Sequence, residues 1–485
     1  MTRFPHRAPP GVEDMAQIHK AALALLADPG MRIMEDGLLK ALSKAGATVD
    51  FAVQEVRFPA ELVDETLASI RSDMEAGITF PVLNGVVASF TNGEIAAKFG
   101  GACCSYYDWE SRSAREPSEA DVVAMLKLGQ AIPEVRHVGN PVIYMRQDDG
   151  TSIPPHLRPI KTAALAAKHT SRPYTCEVWS LEGLEFQIEI GCVVRGGRDA
   201  FQADPAFITA KETISPLQLP HEDAQVLMAL AGKGLPCTII PMPLSGGSCP
   251  VTPAANVAMA TAEVLGVFTA LRAFEPSARV SGGVISGVMD MTGGGALFGH
   301  PAAILQDRLI SQHFENCYGM DFGIGTGYID APVPGVRSVI EKTCKMASSY
   351  SCGKTNYPVG IIEAGKTFSP AQAMLDLEIA RTLHASLGGV VIDERTLAVD
   401  VMREAGIGGN VLTHDHTLKN FRDVLCPGGL LGTSTGGMDA LLDSANRKWQ
   451  DIVASSEQYA LPGEKADEID RIVAKADKFF REMSQ

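Results

Sequence analysis

The sequence predicts a (β/α)8 TIM barrel with an N-terminal helical and hairpin extension and C-terminal helices. From about residue 136 to 405, short apolar β-branched runs alternate eight times with longer amphipathic segments. Strict alternation of strands and helices indicates parallel strands joined by right-handed crossovers. Each unit spans about 25 to 40 residues, so eight units fill roughly the 250 residues that such a barrel needs. A doubly wound open sheet is the alternative, although six strands are the usual number there.

The predicted strands share an apolar, β-branched character and end at Gly, Pro or Ser residues. They cover 137–144, 173–178, 207–214, 237–241, 280–288, 321–328, 356–363 and 389–393. The predicted helices between and after them have apolar residues at helical spacing. They cover 161–168, 184–194, 222–231, 254–274, 302–316, 336–348, 370–387 and 397–404.

Segments on both sides of the barrel are also predicted to be structured. Residues 1–135 form a helical and hairpin layer, in which the turn signal Thr91-Asn92-Gly93 follows a strand-like run. Residues 136–405 form the barrel, and residues 406–485 form a C-terminal helical extension. Active sites of barrels lie on the loops after the carboxyl ends of the strands, so functional residues are expected there.

Composition and charge exclude several classes of partner. The chain has 485 residues, 46% of them hydrophobic, and its 42 Lys and Arg against 57 Asp and Glu give a net charge of −15. This charge repels phosphate backbones and anionic lipids, so neither nucleic acid nor a membrane is expected as a partner. The sequence shows no secretory signal and no apolar run approaching the ~18 residues of a spanning helix, which predicts a cytoplasmic protein.

Metal-binding and nucleophile motifs are weak. The ten cysteines include no Cys-x-x-Cys or His-x-Cys spacing, so reduced thiols and no bound metal are expected. His414 and His416 form the one close histidine pair, and a helix-entry role is favoured over a metal site. The Gly-x-Ser-x-Gly spacing around Ser434 lacks a preceding strand, so a glycine-rich loop is favoured over a hydrolase nucleophile.

Several aromatic residues fall at predicted strand ends or in the segment before the barrel. They are Tyr106, Tyr107, Trp109, Tyr174, Trp179 and Tyr328. Ring faces attract cations, and quaternary ammonium groups are held in aromatic cages. Glu177, Asp330 and Glu363 are acids at comparable positions. Core packing is the more common role for any single ring, and the combination near one barrel mouth is what suggests a cation site.

Several spaced sequence blocks extend over nearly the whole chain. They are Gly46-Ala47-x-Val49-Asp50 with Val56-x-Phe58-Pro59, Ser215-Pro216-Leu217, Pro241-x-Pro243-x-Ser245-Gly246-Gly247-x-Cys249-Pro250-Val251-Thr252 leading into Ala262-Glu263, Gly325-Thr326-Gly327 with Asp330-Ala331-x-Val333-Pro334, and His416-Thr417-Leu418-Lys419-x-Phe421-Arg422. Together these blocks resemble the trimethylamine methyltransferase family, in the branch without pyrrolysine that includes glycine betaine methyltransferases. The block after the fourth predicted strand is the most specific.

The resemblance implies a barrel that transfers a methyl group from an amine to the cobalt(I) of a separate corrinoid protein. Trimethylamine enzymes of the family carry pyrrolysine at the barrel centre, whereas this chain has only standard residues. A quaternary amine is therefore the implied substrate, because attack on its methyl group expels a neutral amine without proton transfer. The chain lacks the Asp-x-His-x-x-Gly pattern of cobalamin carriers, so the corrinoid is expected to arrive on a partner protein.

The leading hypothesis is a methyltransferase that demethylates a quaternary amine, glycine betaine being the first choice. The predicted substrate-binding residues are Tyr106, Tyr107, Trp179 and Tyr328 as a cage, with His221 or Arg146 for a substrate carboxylate, and the predicted acids near the cation are Glu177 and Asp330. Two alternatives remain open, a betaine-sensing barrel without turnover and a barrel lyase or hydrolase that uses paired carboxylates. The sequence does not decide whether the chain forms a homo-oligomer.

Overall fold

The computed structural model describes residues 10–78, 94–100, 103–139, 142–424, 437–457 and 459–483. Eight parallel strands form the centre of the protein, and a helix follows each of them. The strands are β1 (Ala96–Phe99), β2 (Val135–Val138), β3 (Tyr174–Thr175), β4 (Phe207–Ile208, continuing as Ala210–Lys211), β5 (Cys237–Ile239), β6 (Val280–Val284), β7 (Gly323–Ile324) and β8 (Asn356–Val359). The helices are α1 (Glu119–Ala131), α2 (Arg158–His169), α3 (Leu181–Arg195), α4 (His221–Gly232), α5 (Pro253–Phe274), α6 (Pro301–Tyr318), α7 (Val336–Tyr350) and α8 (Pro370–Leu387).

The eight strands are arranged in two hydrogen-bonded sheets. One sheet has the order β8, β1, β2, β3 and the first part of β4, and the other has the second part of β4, then β5, β6 and β7. Every pairing within these two sheets is parallel. The predicted alternation of strands and helices is therefore confirmed, and strands adjacent in sequence are adjacent in space.

No strand-to-strand ladder joins β7 to β8 among the described residues. A buried lysine connects this part of the chain instead. Lys342 on α7 donates from Nζ to the carbonyl oxygen of Gly327 at 2.8 Å and to that of Pro358 at 3.4 Å. The same ammonium lies 3.1 Å from the carboxylate of Asp376 on α8, which accepts the amide of Gly360 at 2.8 Å. Lys342 thus connects the chain after β7 to β8.

A second buried pair lies on the neighbouring helices. Lys345 on α7 contacts Asp307 on α6 at 2.9 Å and donates to the carbonyl oxygen of Gly325 at 2.5 Å. Asp307 accepts the amide of Gly325 at 3.3 Å. The two lysine–aspartate pairs therefore attach α6, α7 and α8 to the two strands that lack a shared ladder.

One predicted strand is wrong and one strand was missed. Residues 389–393 form no strand and are exposed, whereas β1 lies in the segment that we assigned to the N-terminal layer. The run Val390-Val391-Ile392 has high β-propensity but no neighbouring strand, and β-propensity depends on such packing. β1 is mostly alanine with one lysine, so its local signal is weak. The seven other predicted strands overlap β2 to β8, and the predicted hairpin turn at Thr91-Asn92-Gly93 lies outside the described residues.

Helices and short strands from both chain ends cover the outside. The helices Val12–Ala27, Asp36–Lys44 and Ala60–Glu75 pack on α5. Helix Met438–Ser455 packs on α8 and α1, and helix Gly463–Met483 packs on α2 and α3. The remaining short strands are Met31–Ile33, Thr48–Asp50, Glu55–Arg57 and Gln218–Leu219 in one sheet, Ser105–Asp108, Ser113–Arg115, Ile361–Ile362 and Thr367–Phe368 in a second, and Leu244–Ser245, Gly287–Met289 and Ala296–Leu297 in a third.

Helix α5 is the one described helix whose length and composition would suffice to cross a membrane. Of its apolar stretch, 89% is buried within the protein, against the N-terminal helices and α6. These contacts account for its apolar character as that of a core helix.

An arm extends from the body between α8 and helix Met438–Ser455. It contains the short helices Glu394–Leu397, Val399–Ala405 and Asp415–Val424. No described residue between Ala380 and Leu442 is buried. The arm therefore adds nothing to the core.

Candidate functional site

A cavity of about 290 Å³ is lined by residues from all eight strands. Side chains alternate between the two faces of a strand, so every second residue points into it. On β4 and just beyond, the lining residues are Ile208, Ala210 and Glu212, and on β5 and just beyond they are Thr238, Ile240 and Met242. The cavity follows the strands from their amino ends to their carboxyl ends.

Two glutamates and a tyrosine line the carboxyl end of the cavity. They are Glu177 after β3, Glu212 after β4 and Tyr328 after β7. Burial raises the pKa of Glu177, against the opposing charge of Lys211. Desolvation, together with the charge of Glu177, raises the pKa of Glu212 to about 7, and Glu212 is the more exposed of the two carboxylates. This end of the cavity therefore combines negative charge with one aromatic ring.

A lysine and a histidine line the middle of the cavity. Lys98 on β1 and His137 on β2 are paired in register on adjacent strands. The Nε2 atom of His137 lies 2.8 Å from the hydroxyl of Thr175, and only 1% of the residue is exposed. Burial, and then the charge of Lys98, lowers the pKa of His137 well below its ordinary value, so the imidazole is neutral at pH 7. Burial also lowers the pKa of Lys98.

The amino end of the cavity is held by internal contacts. The ammonium of Lys354 forms an ion pair with the carboxylate of Asp321. The hydroxyls of Thr238 and Ser281 lie 2.9 Å apart on β5 and β6. Each of these four side chains therefore has a polar partner at this end.

Two of the residues predicted for the site line this cavity, Glu177 and Tyr328. The Tyr328 ring packs at 5.7 Å from that of Phe298 and closely against Gly365, whose φ is +91°. A side chain at Gly365 would collide with the ring, so the glycine allows its position.

The three other predicted cage residues lie away from the cavity. The guanidinium of Arg115 lies 4.8 Å from the centre of the buried Tyr106 ring. Tyr107 is buried in a small apolar cluster with Ile329, Ala331 and Ile362. The rings therefore do not meet around one point, and core or surface packing accounts for both tyrosines.

Trp179 is 38% exposed, and its ring lies 6.0 Å from that of Tyr144. Neither residue is among those that line the cavity. At the carboxyl end of the cavity, the described residues thus provide one aromatic ring, Tyr328, in place of the predicted four-residue cage.

The carboxylate of Asp330 holds a loop. Its oxygens accept the backbone amides of Phe298 at 2.6 Å and of Gly299 at 2.8 Å. Asp330 is not part of the cavity lining, and these two hydrogen bonds give it a structural role.

His221 and Arg146, predicted to meet a substrate carboxylate, also lie outside the cavity. His221 Nδ1 lies 2.9 Å from both the carbonyl oxygen of Met34 and the carboxylate of Glu35. Arg146 donates to Glu116 at 2.6 Å. Each side chain thus has an acidic partner on the surface.

Besides the ion pair of Lys354 and Asp321, sequence reasoning missed three ionisable residues of the cavity. They are Lys98, His137 and Glu212. Lys98 lies in the otherwise apolar run Ala-Ala-Lys-Phe, whereas His137 and Glu212 lie in the mixed runs Val-Arg-His-Val and Ile-Thr-Ala-Lys-Glu. A charged residue on the inner face of a strand requires a partner or a ligand, so this pattern was an available signal.

Two of the spaced sequence blocks contact each other. The carboxylate of Glu263 on α5 accepts hydrogen bonds from the hydroxyls of Thr213 at 2.5 Å and Ser215 at 2.8 Å, and from the amide of Leu217 at 2.8 Å. Leu217 has a φ of +59°, a left-handed conformation that this bond helps to hold. The glutamate therefore fixes the loop after β4.

The block after β5 folds around a buried amide. Asn256 donates to the hydroxyl of Ser245 at 3.0 Å and accepts from that of Ser286 at 2.6 Å. Gln306 on α6 also donates to Ser245, at 2.6 Å. This block therefore shapes a loop at the carboxyl ends of β5 and β6.

The described residues contain no cluster of three or more His, Cys, Asp or Glu side chains that could hold a metal ion. His414 lies 3.1 Å from Glu404 and precedes helix Asp415–Val424, at the predicted helix entry. The Gly-x-Ser-x-Gly run around Ser434 lies outside the described residues.

Comparison with known proteins gives one consistent family. The chain is 26% identical over 415 residues to trimethylamine methyltransferase MttB of Desulfitobacterium hafniense, covering 84% of this chain and 81% of that protein. It is 26% identical over 486 residues to MttB of Methanosarcina barkeri, covering 97% and 95%. A glycine betaine methyltransferase of Desulfitobacterium hafniense is 24% identical over 474 residues, covering 96% of each chain.

A solved structure has a similar fold. The crystal structure of the Methanosarcina barkeri monomethylamine methyltransferase matches with a TM-score of 0.50 at 13% identity, over 92% of this chain and 88% of that one. The family model for trimethylamine methyltransferase (MTTB) matches residues 1–480. The chain therefore belongs to the trimethylamine methyltransferase family.

Proposed function

We propose that this protein transfers a methyl group from a quaternary amine to the cobalt of a partner corrinoid protein, with glycine betaine as the first candidate substrate. The observation that carries the proposal is the cavity, whose carboxyl end presents Glu177, Glu212 and Tyr328. Two carboxylates and a ring face provide attraction for a methylated ammonium group. The glycine betaine methyltransferase among the relatives and the standard residues of this chain support a quaternary substrate and the branch without pyrrolysine.

We infer that the eight strands form a (β/α)8 barrel that starts at β1. A cavity lined by all eight strands and the strand order support a closed ring, with Lys342 connecting β7 to β8. The division into an N-terminal layer, a barrel and a C-terminal extension stays a prediction, with the start of the barrel moved to Ala96. A cytoplasmic location is part of the same proposal.

The size of the cavity fits the amine and not the corrinoid. Cavities of about 300 to 1,000 Å³ hold drug-sized ligands, so one of about 290 Å³ suits a small cation and excludes a corrin macrocycle. The corrinoid supplies the cobalt nucleophile that accepts the methyl group, and it would approach on its partner from the carboxyl ends of the strands. This chain would orient the amine, exclude water and place a methyl group toward that opening.

Glu177 and Glu212 also favour a second candidate, a barrel lyase or hydrolase. Two carboxylates in one cavity, one of them with a pKa of about 7, suit general acid–base catalysis. Turnover of a substrate without cobalamin is the property that separates this candidate from the methyltransferase.

The decisive experiment is methylation of cobalt(I) cobalamin by the purified protein, followed by absorbance, across a panel of quaternary and tertiary methylamines. We expect a spectral change with a quaternary amine and none with trimethylamine. Glu177→Gln should slow the reaction, whereas Glu222→Gln, on the outer helix α4, should leave it unchanged. No change with any amine, even with a corrinoid protein added, would contradict the proposal. Betaine binding without transfer would favour a sensor.

A further inference from the structure

The middle of the cavity holds a lysine, Lys98, that has no counterion among the described residues. Lys98 forms no ion pair or hydrogen bond among the described residues, although it lines the cavity. The other lysines discussed above, at 211, 342, 345 and 354, each pair with an aspartate. Lys98 is half-buried. An ammonium withdrawn from water without a partner is costly, and such groups occur where a ligand supplies the missing charge.

The neighbouring histidine has an open polar atom at the same level. His137 is almost fully buried, its Nε2 contacts the Thr175 hydroxyl at 2.8 Å, and its Nδ1 has no hydrogen-bond partner among the residues that the structure describes. When the hydroxyl donates to Nε2, the proton of the neutral ring resides on Nδ1, which is then a donor. Lys98 and His137 together offer a positive charge and a neutral N–H donor.

These two residues lie deeper in the cavity than the glutamates. Thr175, which contacts His137, precedes Glu177 by two residues on β3, and two residues of extended chain span about 7 Å. The cavity is therefore positive in its middle and negative at its carboxyl end. A ligand with an anionic group at one end and a cationic group at the other matches both charges.

Resting on the proposed function, we propose that Lys98 and His137 form an anion subsite that binds the carboxylate of a zwitterionic substrate, with its trimethylammonium group beside Glu177 and Glu212. This orientation directs the methyl groups toward the open carboxyl end. The separation of about 7 Å between the two levels exceeds the single carbon that joins the charges of glycine betaine. A longer onium carboxylate therefore fits the two subsites better.

The test measures binding to the full chain by calorimetry, without a corrinoid. The matched ligands are 4-trimethylammoniobutanoate and butyltrimethylammonium, which have the same cation and chain length but differ in the carboxylate. We expect Lys98→Met to weaken binding of the carboxylate ligand roughly 10- to 100-fold, as loss of a charge-assisted bond implies, and to leave the simple cation within about twofold. Lys98→Arg should restore part of the preference. Lys478→Met, on an exposed helix surface, is the control.

Several results would overturn the subsite. They are equal binding of both ligands by the unaltered protein, equal loss of both in Lys98→Met, and binding of neither ligand. If Lys98→Met fails to fold, His137→Gln is expected to reduce the carboxylate preference in its place, and an unchanged preference in that variant would overturn the proposal. Methyl transfer with no carboxylate preference would overturn the subsite alone. A carboxylate preference without methyl transfer would overturn the proposed function alone.

Discussion

The buried charges behind β7 and β8 have partners of opposite charge, whereas Lys98 and His137 in the middle of the cavity have none among the described residues. Lys342 and Asp376 are both 0% exposed, and each satisfies the other and a backbone group. His137 is 1% exposed and Lys98 is half-buried, and neither has an acidic partner among the described residues. Lys342 and Asp376 connect helices to strands, whereas Lys98 and His137 line the cavity.

This difference separates polar side chains that stabilise the fold from polar side chains that a ligand would pair with. Removing one partner of a buried pair leaves an uncompensated charge, which destabilises strongly. Removing a buried charge that has no partner relieves a desolvation penalty in the free protein. Mutations should therefore affect stability at one set and binding at the other, and the predictions below test that division.

The largest effect is expected at Lys342. Lys342→Met leaves the buried Asp376 without its partner and the carbonyl oxygens of Gly327 and Pro358 without a donor, so we expect a loss of about 3 to 5 kcal/mol in the free energy of unfolding. Chemical denaturation measures it. The double variant Lys342→Met/Asp376→Leu should recover part of the loss, and a single variant as stable as the parent would contradict the division.

The second-largest effect is expected on the affinity for a cation and not on the stability of the protein. Glu212→Gln removes one of two negative charges at the carboxyl end of the cavity, so affinity for a quaternary cation should fall roughly tenfold, by about 1.4 kcal/mol. The melting temperature should not fall. Calorimetry and thermal unfolding of the same sample measure both, with Glu222→Gln as control. A variant that loses stability but keeps its affinity would place Glu212 in the structural set.

A smaller effect is expected from pH. Since the pKa of Glu212 is raised to about 7, its carboxylate gains its charge as pH rises from 6 to 8, and cation affinity should increase over that range. The free energy of unfolding should change in the opposite direction. Because the pKa of Glu212 is higher in the folded protein than in the unfolded chain, its contribution to stability is fully present below the unfolded pKa and is lost as pH rises through 7. Glu212→Gln should flatten both profiles. An unchanged profile in the variant would assign the titration to another group.

The smallest effect is expected at His221 and Arg146. Both lie outside the cavity in surface contacts with Glu35 and Glu116, and such pairs contribute about 0 to 1 kcal/mol. His221→Ala and Arg146→Ala should leave affinity for a betaine within about twofold in calorimetry. A tenfold loss in either variant would return the carboxylate contact to these residues and remove it from Lys98.

The sequence predicts the architecture better than it predicts the site. Apolar periodicity locates β2 to β8 and their helices because each element buries one face in the core. It misses β1, which pairs with β2 and β8 but has only four residues, two alanines, a lysine and a phenylalanine. It also mistakes the exposed run at Val390 for a strand, because local propensity carries no information about neighbours.

The sequence also predicts only some of the site residues correctly. Glu177 and Tyr328 were predicted because they directly follow strands, and both line the cavity. Trp179 follows a strand as well and is only two residues from Glu177, but it does not line the cavity, because the chain turns into α3 at Ser180. Residue type and position along the chain therefore suggest candidates, while the direction of each side chain depends on where the strand ends.

The arm between α8 and helix Met438–Ser455 determines where the protein opens locally most easily. Its short helices contribute no buried side chain, so its amide hydrogens are protected by local helical bonds alone. Amide hydrogen exchange should be fast throughout the arm and slow in α5, whose residues lie in the core. A protease should cut first near Ile407, whose side chain is fully exposed, and leave the strands and their cavity intact.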